Sequence, residues 1–277
     1  PGDVTANVRK ILSEYLACGI DPEKAAIYVQ SDVKEVLELY LYLNMNAYLG
    51  ELQRVTSFKE KARKQPENVN AGLLTYPTLM AADILIHRAD KVPVGKDQEQ
   101  NMEMARKFAR RFNTIYGVEF FPEPQSYSFG GDAIKVPGLD GSGKMGKSEG
   151  NAIYLIDDAA TIRKKVMKAV TDSGPTQPNS EKPEAIANLF TMLKIVSSAD
   201  TYDYFNEKYN ACEIRYGDLK KQLAEDIVNF TSPIRERILA YAADTEYMDK
   251  VAREGAEKAR ASADKTIREV RKIIGFN

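Results

Sequence analysis

The stretch Gly138-Leu139-Asp140-Gly141-Ser142-Gly143-Lys144-Met145-Gly146-Lys147-Ser148-Glu149-Gly150 decides how this chain is read. Five glycines let the backbone approach an anion closely and move, while two lysines and two serines supply charge and hydroxyls, so the composition points to a phosphate site. The same residue types also make an ordinary surface loop. The next residues narrow the choice: Glu149-Gly150-Asn151 is a turn-forming triplet, and Ala152-Ile153-Tyr154-Leu155-Ile156-Asp157-Asp158 reads as a buried strand.

By its letters, Gly141 to Ser148 also fits G-x-x-x-x-G-K-[ST], the pattern of a P-loop NTPase. That reading requires a buried strand ahead of the glycines and a helix opening at the Lys-Ser pair, because the helix N-terminus holds the phosphates. Here a turn and a strand are expected instead, so the P-loop is kept as the alternative from another class.

Upstream, Lys91-Val92-Pro93-Val94-Gly95-Lys96-Asp97-Gln98 reads as a strand, a glycine turn and a polar pair at a helix start. In open α/β sheets ligands bind beyond the carboxyl ends of strands, which places Gly95, Asp97 and Gln98 well. The preceding Gly72 to Ile86 is the most apolar stretch, a helix whose Pro77 is expected in its first turn. Tyr76, Met80, Asp83 and Ile84 share one face at helical spacing. A carboxylate in that company requires a donor, so Asp83 is expected to accept a hydrogen bond from a neighbour or a ligand; a packing or capping aspartate is the plainer reading.

The first helix is expected at Val4–Ala17, followed by a short strand at Ala25–Gln30, which implies an α/β sheet entered partway. Helices come next at Ser31–Gly50 and Glu51–Lys64, the second basic and read as a solvated face. Gln100–Phe112 is another, and the lone His87 is read as a surface residue. After a helix at Ala159–Val170, the loop Thr171–Lys182 is expected to be a domain boundary. Helices are then expected at Glu184–Ser197, Asp200–Tyr209 and Tyr216–Thr231, with a new start at Pro233. In Asp249–Ile274 an apolar stripe packs inward, and eight basic residues against four acidic ones from Lys250 to Lys272 leave an outer face open to RNA.

The whole chain sets outer limits. With 277 residues, 39 basic and 40 acidic, it suits one large or two ordinary domains, and any nucleic-acid surface is a local patch. Cys18 and Cys212 are too few for a disulfide framework and have no histidine cluster for zinc, which points to a cytoplasmic protein. No apolar run approaches the ~20 residues that span a bilayer, and no signal peptide opens the chain, so no membrane partner is expected.

Taken together, Gly72–Ile86, Val92-Pro93-Val94-Gly95-x-Asp97-Gln98 and Lys144-Met145-Gly146-Lys147-Ser148 resemble the tryptophanyl-tRNA synthetases, a family of class I aminoacyl-tRNA synthetases. The likeness runs through the whole chain in consistent order. The family's lysine loop usually reads Lys-Met-Ser-Lys-Ser; Gly146 removes one hydroxyl and adds mobility. The family also opens with a strand and a HIGH-like nucleotide motif, which this sequence does not carry ahead of Pro1.

The resemblance implies an α/β fold: a Rossmann-type parallel-sheet catalytic domain with a helical connective insertion over 1–172, and a helical anticodon-binding domain over 173–277. It implies a homodimer, and the partners L-tryptophan, ATP with Mg2+, and tRNA(Trp). By position, Asp83 accepts the indole N–H, with Met80, Ile84, Val92 and Val94 shaping the pocket. Tyr76 and Gln98 hold the amino group. Gly95 and Asp97 lie against the ribose of ATP and Met145 near its adenine. Lys61, Lys144 and Lys147 hold the phosphates beside Ser148. No protein metal ligand is implied. The alternative within the class is a tyrosyl-tRNA synthetase, whose pocket helix typically carries glutamine and a further polar residue where this chain has Met80 and Ala81-Ala82. A catalytically silent RNA-binding relative is a third reading.

Overall fold

The computed structural model describes residues 3–127, 135–146 and 149–276. These fall into two compact units, one built of Pro1–Asp21 with Ile134–Met248, the other of Pro22–Ala133 with Asp249–Asn277. This division by contact cuts the chain differently from the expected functional division at 172/173, because both units are assembled from two separate stretches.

The second unit carries α2 (Glu35–Met45), α3 (Leu49–Leu52), α4 (Thr56–Lys64), α5 (Ala71–Leu85), β1 (Lys91–Pro93), α6 (Glu99–Tyr116) and β2 (Gln125–Tyr127). The two strands are parallel, with Lys91 opposite Gln125 and Pro93 opposite Tyr127, and α6 makes the crossover between them. Gly117 ends α6 in the left-handed region at φ +64°, where an L side chain is strained. Leu39, Leu43, Ala81, Ala82, Leu85, Met102, Ala105, Phe108 and Phe112 fill the core between α2, α5 and α6. The long α11 (Thr245–Ile274) closes it with Ala259, Ala263, Ile267 and Val270, the stripe read from the sequence.

Much of the outer charge of α11 is engaged within its own unit. Lys258 donates to the Pro22 carbonyl, Arg260 to that of Asp32, and Arg271 makes a two-pronged pair with Glu38 at 2.6 Å. The Arg271 guanidinium holds Glu38 below the usual carboxylate range.

The other unit packs α1 (Val4–Ala17) and the helices α7 (Ala159–Met167), α8 (Glu184–Val196), α9 (Ala199–Asn210) and α10 (Tyr216–Ala243). Its core is Leu139, Ile162, Val166, Ile186, Leu189, Leu193, Tyr209, Leu219 and Leu223.

Several expectations are corrected. Ala25–Gln30 forms no strand; the chain there is extended and then turns at Gln30–Asp32. The helix expected over Ser31–Gly50 is broken between α2 and the start of α3, and Glu51–Lys64 between α3 and α4. Pro77 is not in a first turn: Asn70 caps α5, its side-chain oxygen accepting from the Leu73 N–H at 3.0 Å, which starts the helix six residues before the proline. Pro233 likewise sits inside a continuous α10. Packing of Leu219, Leu223 and Ile227 on one side and Ile238 on the other outweighs the one backbone bond Pro233 removes.

The segment 152–158 is no strand either. Two of its carbonyls are satisfied by long side chains: Lys165 donates to the Ala152 carbonyl at 3.0 Å and Arg235 to that of Ile156 at 3.0 Å. Lys165 also pairs with Asp157 and lies over the Tyr154 ring. With those acceptors taken, no sheet neighbour is needed.

Candidate functional site

The anticipated site residues are distributed over both units, and each group is described by itself. In the unit holding α5, Asp83 is half-buried and both of its oxygens accept from one Gln30 amide nitrogen, at 2.8 and 2.7 Å. Burial raises the Asp83 pKa, against the Gln30 hydrogen bond and the nearby His87, which lower it. Each carboxylate oxygen keeps a second lone-pair direction, so the group has acceptor capacity beyond Gln30.

His87 is not the surface residue expected. It is half-buried, its Nε2 2.9 Å from the Tyr28 hydroxyl and its Nδ1 3.2 Å from the Ser262 hydroxyl of α11. Burial holds it below its ordinary pKa, against the pull of Asp83. Sequence reasoning misses Gln30, Tyr28 and His87 as parts of this group. The first two lie in the segment expected to be a buried strand, where alternate residues face opposite ways and no polar role stands out.

Ile84 is buried in the α5 core, and Met80, Val92 and Val94 pack half-buried against the same cluster. They form an apolar wall on α5 and β1. Tyr76 is exposed on α5 and receives the Lys61 ammonium over its ring at 5.1 Å, so these two expected site residues do come together. Lys61 also lines a cavity of about 280 Å³ with Lys64, Gln65, Asn68, Asn70 and Leu73.

Beyond β1, Gly95 accepts at its carbonyl from the Gln98 N–H at 2.9 Å, forming a tight turn. A Cβ at Gly95 would stand 2.6 Å from an Asp97 oxygen, so a side chain there would displace the Asp97 carboxylate. Gln98 donates to Asp97 at 3.1 Å and accepts from buried Asn101 at 2.9 Å, which fixes its amide.

In the other unit, the glycine-rich loop is organised by Asn151. Its buried amide donates to the Asp140 carboxylate at 2.9 Å, the Ser142 hydroxyl at 3.0 Å and the Lys144 carbonyl at 3.1 Å, and accepts from the Gly146 N–H at 2.9 Å. Hydrogen bonds from Ser142 and then Asn151 hold the Asp140 carboxyl below its usual range. The network is therefore complete at neutral pH and loosens only as pH falls through that lowered value. Lys144 is exposed, and its ammonium has no hydrogen-bond or ion-pair partner among the described residues. Met145 is half-buried against the unit's core. Lys147 and Ser148 lie outside the described residues.

This geometry removes the P-loop. Residues 151–158 are not helical, and the next helix begins only at Ala159.

Gly146 has no positive φ, and a Cβ there would meet only the Glu149 side chain, at 3.2 Å. Gly146→Ser is thus expected to fold normally and gain about 0.4–1 kcal/mol by restricting the unfolded chain. A thermal melt checks it; a clear fall in Tm would mean the loop does require glycine at this position.

Similarity to known proteins fixes the family. The family model described as tRNA synthetases class I (W and Y) matches residues 2–232. A tryptophan–tRNA ligase of Porphyromonas gingivalis is 78% identical over 276 residues, covering 100% of this chain and 84% of that protein. One of Listeria monocytogenes is 41% identical, covering 97% of this chain and 80% of its own. A crystal structure of tryptophanyl-tRNA synthetase from Campylobacter jejuni, complexed with ADP and tryptophan, superposes with a TM-score of 0.86 at 33% identity, over 99% of this chain and 84% of that one. The fold is that of a class I synthetase, and by sequence and structure alike the chain belongs to the tryptophanyl-tRNA synthetases.

Proposed function

We propose that this chain activates L-tryptophan with ATP, giving tryptophanyl-adenylate and pyrophosphate, and then passes the tryptophanyl group to the 3′ end of tRNA(Trp). The observation that carries the reading is 78% identity to a tryptophan–tRNA ligase along the whole chain. The half-buried Asp83 on an apolar helix face supports it chemically. Asp83 accepts the indole N–H, and an amino acid lacking that donor leaves the carboxylate short of a partner, at about 1–3 kcal/mol. Met80, Ile84, Val92 and Val94 shape the pocket, while Tyr76 and Gln98 hold the amino group.

In the first step the tryptophan carboxylate attacks the α-phosphorus and pyrophosphate leaves; the protein's part is alignment and neutralisation of the leaving charge. Lys61, Lys144 and Lys147 meet the phosphates with Ser148 beside them, Gly95 and Asp97 the ribose, and Met145 the adenine. Exposure of Lys144 on a glycine loop supports a clamp that tightens in the transition state and releases afterwards. Among the described residues no three carboxylate, imidazole or thiol groups converge as a cation site. Mg2+ enters as part of the nucleotide substrate, carried on its phosphates.

The functional division follows the same reading, with a catalytic part over 1–172 and a helical, anticodon-reading part over 173–277. Leu37, Leu41 and Met45 stand exposed at four-residue spacing on α2, continued by Tyr48 and Leu49. A stripe of that kind supports the homodimer. The free thiols of Cys18 and Cys212 fit work in the reducing cytoplasm. Among the described residues no helix is long and apolar enough to cross a membrane.

The test is amino-acid-dependent ATP–pyrophosphate exchange on the full-length protein with tryptophan, tyrosine and phenylalanine. Exchange with tryptophan alone is expected. Exchange with tyrosine alone would turn the assignment to the tyrosine enzyme.

A further inference from the structure

The lysine loop is seated on α8 by one side chain. Asn188 is buried, 8% exposed, and its single amide nitrogen donates to two successive loop carbonyls, those of Gly141 and Ser142, at 3.0 Å each. Neighbouring residues of the first turns of α8 press on the same loop. Gly141 sits at φ +85°, and a Cβ on it would stand 3.2 Å from the Ala185 Cβ; one on Gly143 would stand 3.3 Å from a Glu184 oxygen. On the other side, Leu139 is buried with Ile186 and Leu189, and its carbonyl accepts from the Val170 N–H at 3.0 Å.

Residues 184, 185 and 188 recur at helical spacing, so one face of α8 forms the seat. Asn151 ties the loop to itself, whereas Asn188 ties it to a helix. Two bonds from one amide to adjacent carbonyls fix position and tilt together, which a single bond does not. The loop's middle is held two residues before the exposed Lys144.

We infer that Asn188 is a positioning residue for adenylate formation, setting from α8 where the Lys144 ammonium is presented. The inference rests on the functional reading above. Misplacing a charge-neutralising group by about 1 Å is enough to cost on the order of 100-fold in rate. Tryptophan binding, which uses α5 and β1, does not depend on it.

Three measurements on the full-length protein test this. Asn188→Ala should cut kcat for tryptophan-dependent pyrophosphate exchange at least tenfold while KM for tryptophan changes less than twofold. It should also speed tryptic cleavage within residues 138–150, a readout independent of activity. Asn188→Asp sets a carboxylate against two carbonyls, so its loss should be greater at pH 8 and partly recover as pH falls and the carboxyl regains a donor proton. If the alanine variant does not fold, Asn188→Ser, which keeps one donor, should show an intermediate loss. Parent-like kcat and cleavage in both the alanine and aspartate variants would overturn the inference, as would a loss in Asn188→Asp that ignores pH. A parent protein that exchanges with no amino acid would overturn the functional reading instead, and the cleavage assay would still report on the seat.

Discussion

Asn in place of Asp83 is expected to lower kcat/KM for tryptophan by about 10–100-fold and to leave KM for ATP within about twofold. The neutral amide still presents one oxygen, but a bond from the indole N–H to a charged acceptor is roughly twice as strong as one to a neutral acceptor. The Gln30 nitrogen, which now spans both oxygens at 2.8 and 2.7 Å, would meet a second nitrogen at one of them. Selectivity against phenylalanine, which offers no N–H, should shrink in proportion. Stability should move the other way. Burial raises the Asp83 pKa in the folded chain above its ordinary value of 3.8, so the carboxyl's contribution is full below that value and is lost as pH rises through the raised one. Since asparagine never ionises, the variant should melt above the parent at pH 7, and the gap should close near pH 4 and below. A carboxylate retained at a cost in stability fits a recognition role. Unchanged selectivity together with lowered Tm would make Asp83 a packing residue held by Gln30.

Legibility in the sequence depends on which forces are local. Val4–Ala17 is recovered to the residue because its apolar spacing and the Gly19 stop are both written within 16 positions. The turn after β1 is equally plain, since the Gln98 N–H closes on the Gly95 carbonyl three residues back. Asp83 stands out because a carboxylate on an apolar face needs a partner, though nothing in the sequence names Gln30, 53 positions away. His87 escapes notice for the same reason. Its partners Tyr28 and Ser262 are 59 and 175 positions distant, and an isolated histidine beside Arg88 carries no periodic signal. The segment 152–158 has the composition of a strand, but Lys165 and Arg235 take the Ala152 and Ile156 carbonyls, and side-chain competition of that reach leaves no local pattern. The lysine loop shows the converse. Its glycines and lysines read as an anion site, while the residues that shape the loop, Asn151 and Asn188, look like a turn break and a helical filler.

Gly255→Ala should lower Tm by roughly 2–8 °C, although a glycine-to-alanine change inside an exposed helix ordinarily gains about 1 kcal/mol. Gly255 lies on α11 against the backbone of the extended segment ahead of Gln30. An added Cβ would overlap the Ile27 carbonyl oxygen and stand 2.6 Å from its carbon and 2.9 Å from the Ile27 nitrogen. Those atoms are main chain and cannot swing aside as a side-chain tip does, so overpacking of about 2–3 kcal/mol outweighs the helical gain. The relief available is to push the segment off α11, and that segment carries Tyr28 and Gln30. The Tyr28–His87–Ser262 contacts and the Gln30 grip on Asp83 would shift together, so KM for tryptophan should rise several-fold even at temperatures where the variant is folded. Gly217→Ala supplies the contrast. It lies in the first turn of α10 with nothing within 4 Å of its Cβ position, and should raise Tm slightly without touching KM. A Gly255→Ala variant that melts like Gly217→Ala and keeps the parent's KM would show that the close approach of α11 to Ile27 neither limits stability nor holds the proposed tryptophan site in place.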